Sequence, residues 1–272
     1  MTKTLRDTAH HLLLIAIAAV FMLPLTWSVI MSLRPLDQPL TIRAAWFVAA
    51  PAWSNYARIF VDVPYARYLL NSTLVTMVGV ALAALTASWA GFAMAQLSAR
   101  GQRNWLAISF VAAMTPLGSL WLMRFLVIKW LGLIDSWWAL WLPALLGGEP
   151  LLVLLFYRAF RNQSPEILDA VAMDGAGLWT TWWRIALPMA RPTLLAVCLL
   201  AFLSLWRDAA SPLMYLKTPE NYTLAVGLQQ LEQLDATRWA LVMAGAVVFT
   251  LPALLAFGLS QRLLLRGIES KI

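Results

Sequence analysis

Residues 161–191 read RNQSPEILDAVAMDGAGLWTTWWRIALPMAR, a polar island in a chain that is otherwise apolar enough for a membrane. Ser164 suits a helix N-cap, Pro165 the first helical position, and Glu166 places negative charge in the first turn. A helix is therefore expected from there to about Asp174. Asp174-Gly175-Ala176-Gly177 then reads as a turn, because glycine enters positive φ without steric cost. A second short helix follows, in which Leu178, Trp182 and Ile185 recur at i, i+4 and i+7 as one apolar stripe. Pro188 is expected to end it at Leu187. The product is a helix–turn–helix elbow with exposed Trp and Ile, a shape that fits helix-in-groove docking on another protein. Trp179, Trp182 and Trp183 would also suit a helix lying on the bilayer surface.

Composition sets the class around this island. With 61% hydrophobic and 12% charged residues and a mean hydropathy of +0.73, the chain is far more apolar than a soluble domain. His11 to Leu33, Tyr68 to Ala99, Asn104 to Met123 and Trp239 to Gln261 carry no formal charge. Each is long enough to span a bilayer, which takes about 20 apolar residues. Ser136 to Tyr157, interrupted by Glu149, and Pro192 to Trp206, followed by Arg207 and Asp208, complete the set. The expected fold class is all-α: a polytopic membrane protein with six transmembrane helices, forming one domain over residues 1–272. The first apolar run is too long for a signal-peptide core and is expected to stay as an anchor. Arg34 to Arg67 and Leu213 to Arg238 form two segments on the opposite side, with a short helix expected at Thr223 to Gln233.

Charge orients the chain. An inside N-terminus puts Lys3, Arg6, Arg100, Arg103, Arg158, Arg161, Arg184, Arg191, Arg262, Arg266 and Lys271 in the cytoplasm, eleven of the twenty basic residues. The short loop Ala99-Arg100-Gly101-Gln102-Arg103-Asn104 weighs most, since the positive-inside rule works best on short loops. Both termini and the island are then cytoplasmic. The net charge of +7 is topology signal and calls for no nucleic acid. Trp105, Trp130, Trp137 and Trp239 fall near expected helix ends, as aromatic-belt residues do.

Absent residue types exclude several chemistries. His10 and His11, the two histidines, sit at the edge of the first span, so no intramembrane haem, zinc or triad histidine is expected. Cys198 is the lone cysteine, which rules out an intrachain disulfide and a thiolate metal cluster. None of Lys3, Lys129, Lys217 and Lys271 follows glycine, so the phosphate-cradling G-x-x-x-x-G-K-[ST] loop is missing. If ATP drives this protein, another chain binds it. No catalytic residues and no metal ligands are assigned.

Within the island, Asp169-Ala170-Val171 is followed after three residues by Gly175, and after nine more by Ile185-Ala186-Leu187-Pro188. That spacing resembles the EAA loop of ATP-binding-cassette importer permeases, whose pattern is Glu-Ala-Ala, three residues, Gly, nine residues, Ile, one residue, Leu-Pro. Asn71-Ser72 opening a long apolar helix, the Leu131-Gly132-Leu133-Ile134-Asp135 turn, and Trp206-Arg207-Asp208 before Pro212 are similar to the carbohydrate-type, six-span subunit related to the maltose permease pair. Asp169 stands where that family usually has Glu, and Arg207 where it usually has Asn.

The resemblance implies a type I importer permease fold in the inner (cytoplasmic) membrane. It implies a second homologous permease subunit, an ABC ATPase dimer that binds ATP and Mg, and an extracytoplasmic solute-binding protein. The island would be the coupling loop gripping the ATPase, through Glu166, Asp169, Ala170, Asp174, Gly175, Ile185, Leu187 and Pro188, and the solute would be a sugar or oligosaccharide. An importer of a non-sugar solute such as a polyamine or phosphate is the alternative. A polytopic membrane enzyme or assembly factor is the rival from another class, and it would need a catalytic cluster that the scattered acids do not supply.

Charged residues within the spans are candidates for the translocation path or its outer mouth. Glu149 falls about 18 Å along its helix from Trp137, near mid-bilayer, where a carboxylate is costly unless hydrated or paired. Gly147-Gly148-Glu149-Pro150 suggests a broken helix, tolerated where backbone lines a cavity. A structural pair, or a protonated carboxyl packed against a partner subunit, is the other use of such an acid. Arg124 is expected to snorkel, and Arg207 and Asp208 either meet solute or binding protein or form a local ion pair.

Overall fold

A computed structural model describes residues 2–36, 46–48, 50–146, 149–234 and 238–269. Gly147, Gly148, Arg43 and Lys271, all used above, lie outside the described residues. Every regular element among the described residues is helical. Four helices are long and apolar enough to cross a membrane, or five if one sharply bent pair counts as a span.

Contacts divide the chain into two units, Met1–Ala66 with Gly227–Pro252, and Arg67–Val226 with Ala253–Ile272. In the first, helix α1 (Thr2–Ser32) contains the first expected span and exposes Leu12, Ile15 and Phe21. Its exit is clamped by Asn55 of α2 (Ser54–Asp62), whose Nδ2 donates to the carbonyls of Ser32 and Arg34 at 2.8 Å each. The Tyr65 hydroxyl donates to the Gly245 carbonyl at 2.8 Å. Burial in an apolar surround is tolerable for both groups because they satisfy each other.

In the second unit, α3 (Tyr65–Gln96) is the central rod. Its Val80, Ala84, Ala87 and Phe92 share a core with Leu152, Phe156 and Phe160 of α7 (Pro150–Arg161) and Val197 and Ala201 of α11 (Arg191–Trp206). Gly91 permits the α3–α7 approach: a Cβ there would lie 2.7 Å from the Tyr157 amide nitrogen. Backbone cannot give way as a side chain does, so α3 and α7 meet only because position 91 lacks a side chain. Near the same end, Tyr157 Oη donates to Gln102 Oε1 at 3.0 Å. Gln102 lies on α4 (Ala99–Met114), whose first turn is capped by Ser98 accepting from the Gly101 amide.

The expected third span, Asn104 to Met123, is not one helix. Helix α4 stops at Met114, Thr115 is extended at φ −71, ψ 121, and a 3-10 turn (Leu117–Leu120) leads into α5 (Trp121–Trp130). Pro116 is the cause, since it has no N–H to donate and its ring forces the preceding residue out of the helical region. The fourth expected span corresponds to the candidate span Trp138–Arg161, within which α6 (Trp138–Leu145) and α7 are described. The short helix expected at Thr223 to Gln233 forms as Leu224–Leu234.

Candidate functional site

The elbow forms close to its expected bounds. Helix α8 (Pro165–Met173) is followed by Gly175 at φ +73. The Ala176 amide donates back to the Val171 carbonyl at 3.2 Å, and the Asp174 amide to Ala170 at 3.0 Å. A bond from the third residue past the helix to the third from its end, over a left-handed glycine, is a Schellman cap. Ser164 behaves differently from expectation. Its carbonyl accepts from the Ile167 amide, while its hydroxyl donates to Glu166 Oε2 at 3.1 Å instead of accepting from the backbone.

The second half of the elbow departs further. Helix α9 (Leu178–Thr181) passes into a π turn (Trp182–Ala186), then α10 (Leu187–Met189). The Leu187 amide reaches five residues back to the Trp182 carbonyl. That extra residue per turn rotates the faces, so the predicted Leu178, Trp182, Ile185 stripe does not hold together. Leu178 is 71% exposed, Trp182 is 0% exposed, and Ile185 is half-buried. Pro188 does not end the helix at Leu187, because a residue without an N–H is tolerated at the head of the new α10 segment. The chain turns instead between Met189 and Arg191, where the elbow meets α11 at 85°.

Trp182 anchors this half. It stacks on Trp89 of α3 with centroids 6.0 Å apart and lies 4.8 Å from Trp179 and 5.4 Å from Trp183. Together with Ala186 and Ala190 it enters the core built by Phe92, Phe156 and Phe160. Gln163 Nε2 ties the start of the elbow to the π turn by donating to the Ala186 carbonyl at 2.8 Å. The opposite surface stays open. Glu166, Asp169, Ala170, Asp174 and Gly175 are exposed, beside Met173 at 83% and Leu178. Ile185, Leu187 and Pro188 are half-buried, and Leu187 packs on the core. The eight residues named from sequence thus fall into an exposed acidic and apolar head, and a base rooted in the bundle.

Glu149 sits at the head of α7 in extended backbone. Its Oε1 accepts from Ser204 Oγ of α11 at 2.6 Å. Asp208 Oδ1 accepts from the Ser211 amide at 3.0 Å, in the first turn of α12 (Ala210–Tyr215). Arg207 is the exposed C-cap of α11. Arg124 and Asp208 both lie within electrostatic reach of Tyr215.

A family model for the binding-protein-dependent transport system inner membrane component matches residues 79–270. The chain belongs to this permease family. It is similar to the sulfoquinovosyl glycerol transport system permease protein of Agrobacterium fabrum, 27% identical over 98% of this chain and 93% of that one. It is also similar to the lactose transport system permease protein of Rhizobium radiobacter, 25% identical over 100% and 98%. The fold matches a chain in the crystal structure of a bacterial ABC transporter that imports the acidic polysaccharide alginate. The TM-score there is 0.74 at 20% identity, covering 96% of this chain and 97% of that one. The type I importer permease fold expected from the sequence is therefore the fold observed, and the chain is a multi-pass membrane transport component.

The permease also carries a clasp whose partners were invisible in the sequence. Asp135, at φ +63, accepts at Oδ1 from the Lys217 and Thr218 amides at 2.9 and 3.0 Å, and at Oδ2 from the Thr218 hydroxyl. Its carbonyl accepts from Asn221 Nδ2 at 3.0 Å. The Thr218 hydroxyl first, then the two amides, hold the carboxyl well below the usual carboxylate range. A depressed folded value means that this stabilisation is present above the ordinary value of 3.8 and is lost as pH falls through the folded one. Asp135→Asn is therefore expected to lower the thermal midpoint of the purified complex at pH 7. The difference from the unaltered complex should shrink when both are melted below pH 3.8; an equal difference at all pH values would contradict this.

Proposed function

We propose that this permease is one of two subunits that enclose the path of an ATP-driven sugar or oligosaccharide importer, with its elbow as the docking point for a separate ATPase. The observation that carries the docking role is the elbow's division of labour. Trp182 and Ala186 root it in the bundle, while Glu166, Asp169, Met173 and Leu178 project outward. A stiff lever of this kind passes on a partner's closure, because binding shifts an equilibrium only through contacts that differ between states. The elbow and both termini then face the cytoplasm, an extracytoplasmic binding protein delivers solute to the other side, and ATP with Mg is held by the ATPase dimer. The sugar assignment is supported by the two relatives, whose solutes, sulfoquinovosyl glycerol and lactose, are both glycosides.

Two measurements test this. The purified chain alone is expected neither to bind nor to hydrolyse ATP, since no Gly-Lys pair exists to cradle phosphate. The complex with its partner permease and ATPase should do both. Nucleotide crosslinking at a defined site on the isolated chain would overturn the division of roles. Proteoliposomes holding the complex and its binding protein are then offered radiolabelled lactose, sulfoquinovosyl glycerol, putrescine and phosphate. Uptake of a glycoside alone is expected. Uptake of putrescine or phosphate without any glycoside would replace the sugar assignment with the non-sugar alternative.

A further inference from the structure

Polar groups are hydrogen-bonded on either side of the interval between α6 and α7. Thr86 Oγ1 of α3 donates to the Ala144 carbonyl in the last turn of α6 at 2.7 Å, so this carbonyl is satisfied where the helix stops. On the other side, Ser204 Oγ donates to Glu149 Oε1 at 2.6 Å. Two helices give nearly the same distance from the basic end of the bundle. Glu149 precedes the 12 residues of α7, about 18 Å above Arg161 at 1.5 Å per residue. Ser204 lies about 20 Å along α11 from Arg191 by the same rise. Both side chains are half-buried, so the pair is reachable from outside this subunit.

A carboxylate at such a depth does not face lipid, and interrupted backbone there is found where it is enclosed by protein or borders a water-filled cavity. Ser204 Oγ is the donor of this bond and Glu149 Oε1 the acceptor. An aliphatic hydroxyl is also the group that a glycoside presents many times over. We propose that Glu149 Oε1 is a hydroxyl-accepting subsite on the translocation path, held by the Ser204 hydroxyl when empty and by a solute hydroxyl during passage. This rests on the sugar-import reading above. Ser204 is then a stand-in that competes with solute, and Thr86 a positioning residue that holds the end of α6 in place.

Competition makes the two ends of the bond respond in opposite directions. The test uses the complex of both permeases and the ATPase, purified without the solute-binding protein, with radiolabelled lactose, or the glycoside imported in the panel above, in equilibrium dialysis. Glu149→Gln keeps the shape but weakens the acceptor and is expected to raise the Kd roughly tenfold or more. Ser204→Ala removes the competing donor and is expected to lower the Kd severalfold, while Ser204→Thr, which restores a hydroxyl, keeps the unaltered value. A merely structural pair would shift both variants the same way. Shifts of the same sign, unchanged values in both, or no glycoside retained by the unaltered complex overturn the proposal. If the Glu149→Gln complex cannot be purified, Ser204→Ala binding no tighter than Ser204→Thr overturns it alone. Uptake of no glycoside by the unaltered complex would strike the sugar-import reading itself, whereas normal uptake with unmoved Kd values strikes only the subsite.

Discussion

Trp182→Ala is expected to cost about 3–5 kcal/mol of stability and to remove transport, because it empties the site of the largest fully buried side chain among the described residues. The loss is greater than the area alone suggests. Trp182 touches three other indoles and the Phe92, Phe156 and Phe160 cluster, so the cavity would be lined by large rings that cannot collapse into it. Trp182→Phe should behave differently. The indole Nε1 is buried without a hydrogen-bond partner among the described residues, and removing an unsatisfied donor offsets part of the lost volume. Trp183 is 51% exposed, and Trp183→Ala is expected to change stability by within about 0.5 kcal/mol. The measurement is the thermal midpoint of the purified complex together with uptake in proteoliposomes. Equal losses for Trp182→Ala and Trp183→Ala would show that the elbow is not rooted through Trp182.

The parts of this molecule that were legible from sequence are those governed by local chemistry. Pro165 and Gly175 mark the two ends of α8 by backbone conformation alone, and both ends fall where expected. The long apolar runs likewise read as α1, α3 and the last helix, Trp239–Glu269, since length and hydropathy decide a span without reference to neighbours. Where the outcome depends on tertiary partners, the sequence was silent or misleading. Nothing local says that Trp182 turns inward; Trp89 of α3 and the π turn decide it. The clasp at Asp135 closes on Thr218 and Asn221, more than eighty positions away. Glu149 was singled out by its depth, but its partner Ser204 is an ordinary polar residue in an apolar helix. Pro116 is a visible local signal that length and hydropathy ignore: the apolar run reads as one span by those measures, and the proline ring divides it.

The turn at Gly175 is expected to be the most sensitive point of the elbow's exposed head. A Cβ built there meets nothing within 4 Å, so space is not the constraint; φ +73 is. An L-residue in that region costs about 1–2 kcal/mol, and a β-branched one more, because its Cβ crowds the neighbouring carbonyl. Gly175→Val is therefore expected to break the Schellman bond from Ala176 to Val171, redirect the chain into Leu178 and abolish uptake, with the protein still in the membrane. Asn is the residue that tolerates this conformation best after glycine, so Gly175→Asn should retain most of the activity. Asp169 tests the other half of the proposal. It is exposed on α8, one turn beyond Glu166, and a charge-assisted contact to a docked ATPase would contribute roughly 1.5–3 kcal/mol, about tenfold to a hundredfold in affinity. Asp169→Lys should weaken ATPase co-purification by that order while leaving the thermal midpoint of the isolated chain unchanged, since its side chain is exposed. Membrane abundance, ATPase retention and uptake, measured for all three variants, separate a misdirected turn from a lost contact. Full uptake by Gly175→Val and Asp169→Lys together would mean that the elbow is an interfacial helix on the bilayer and that the ATPase docks elsewhere.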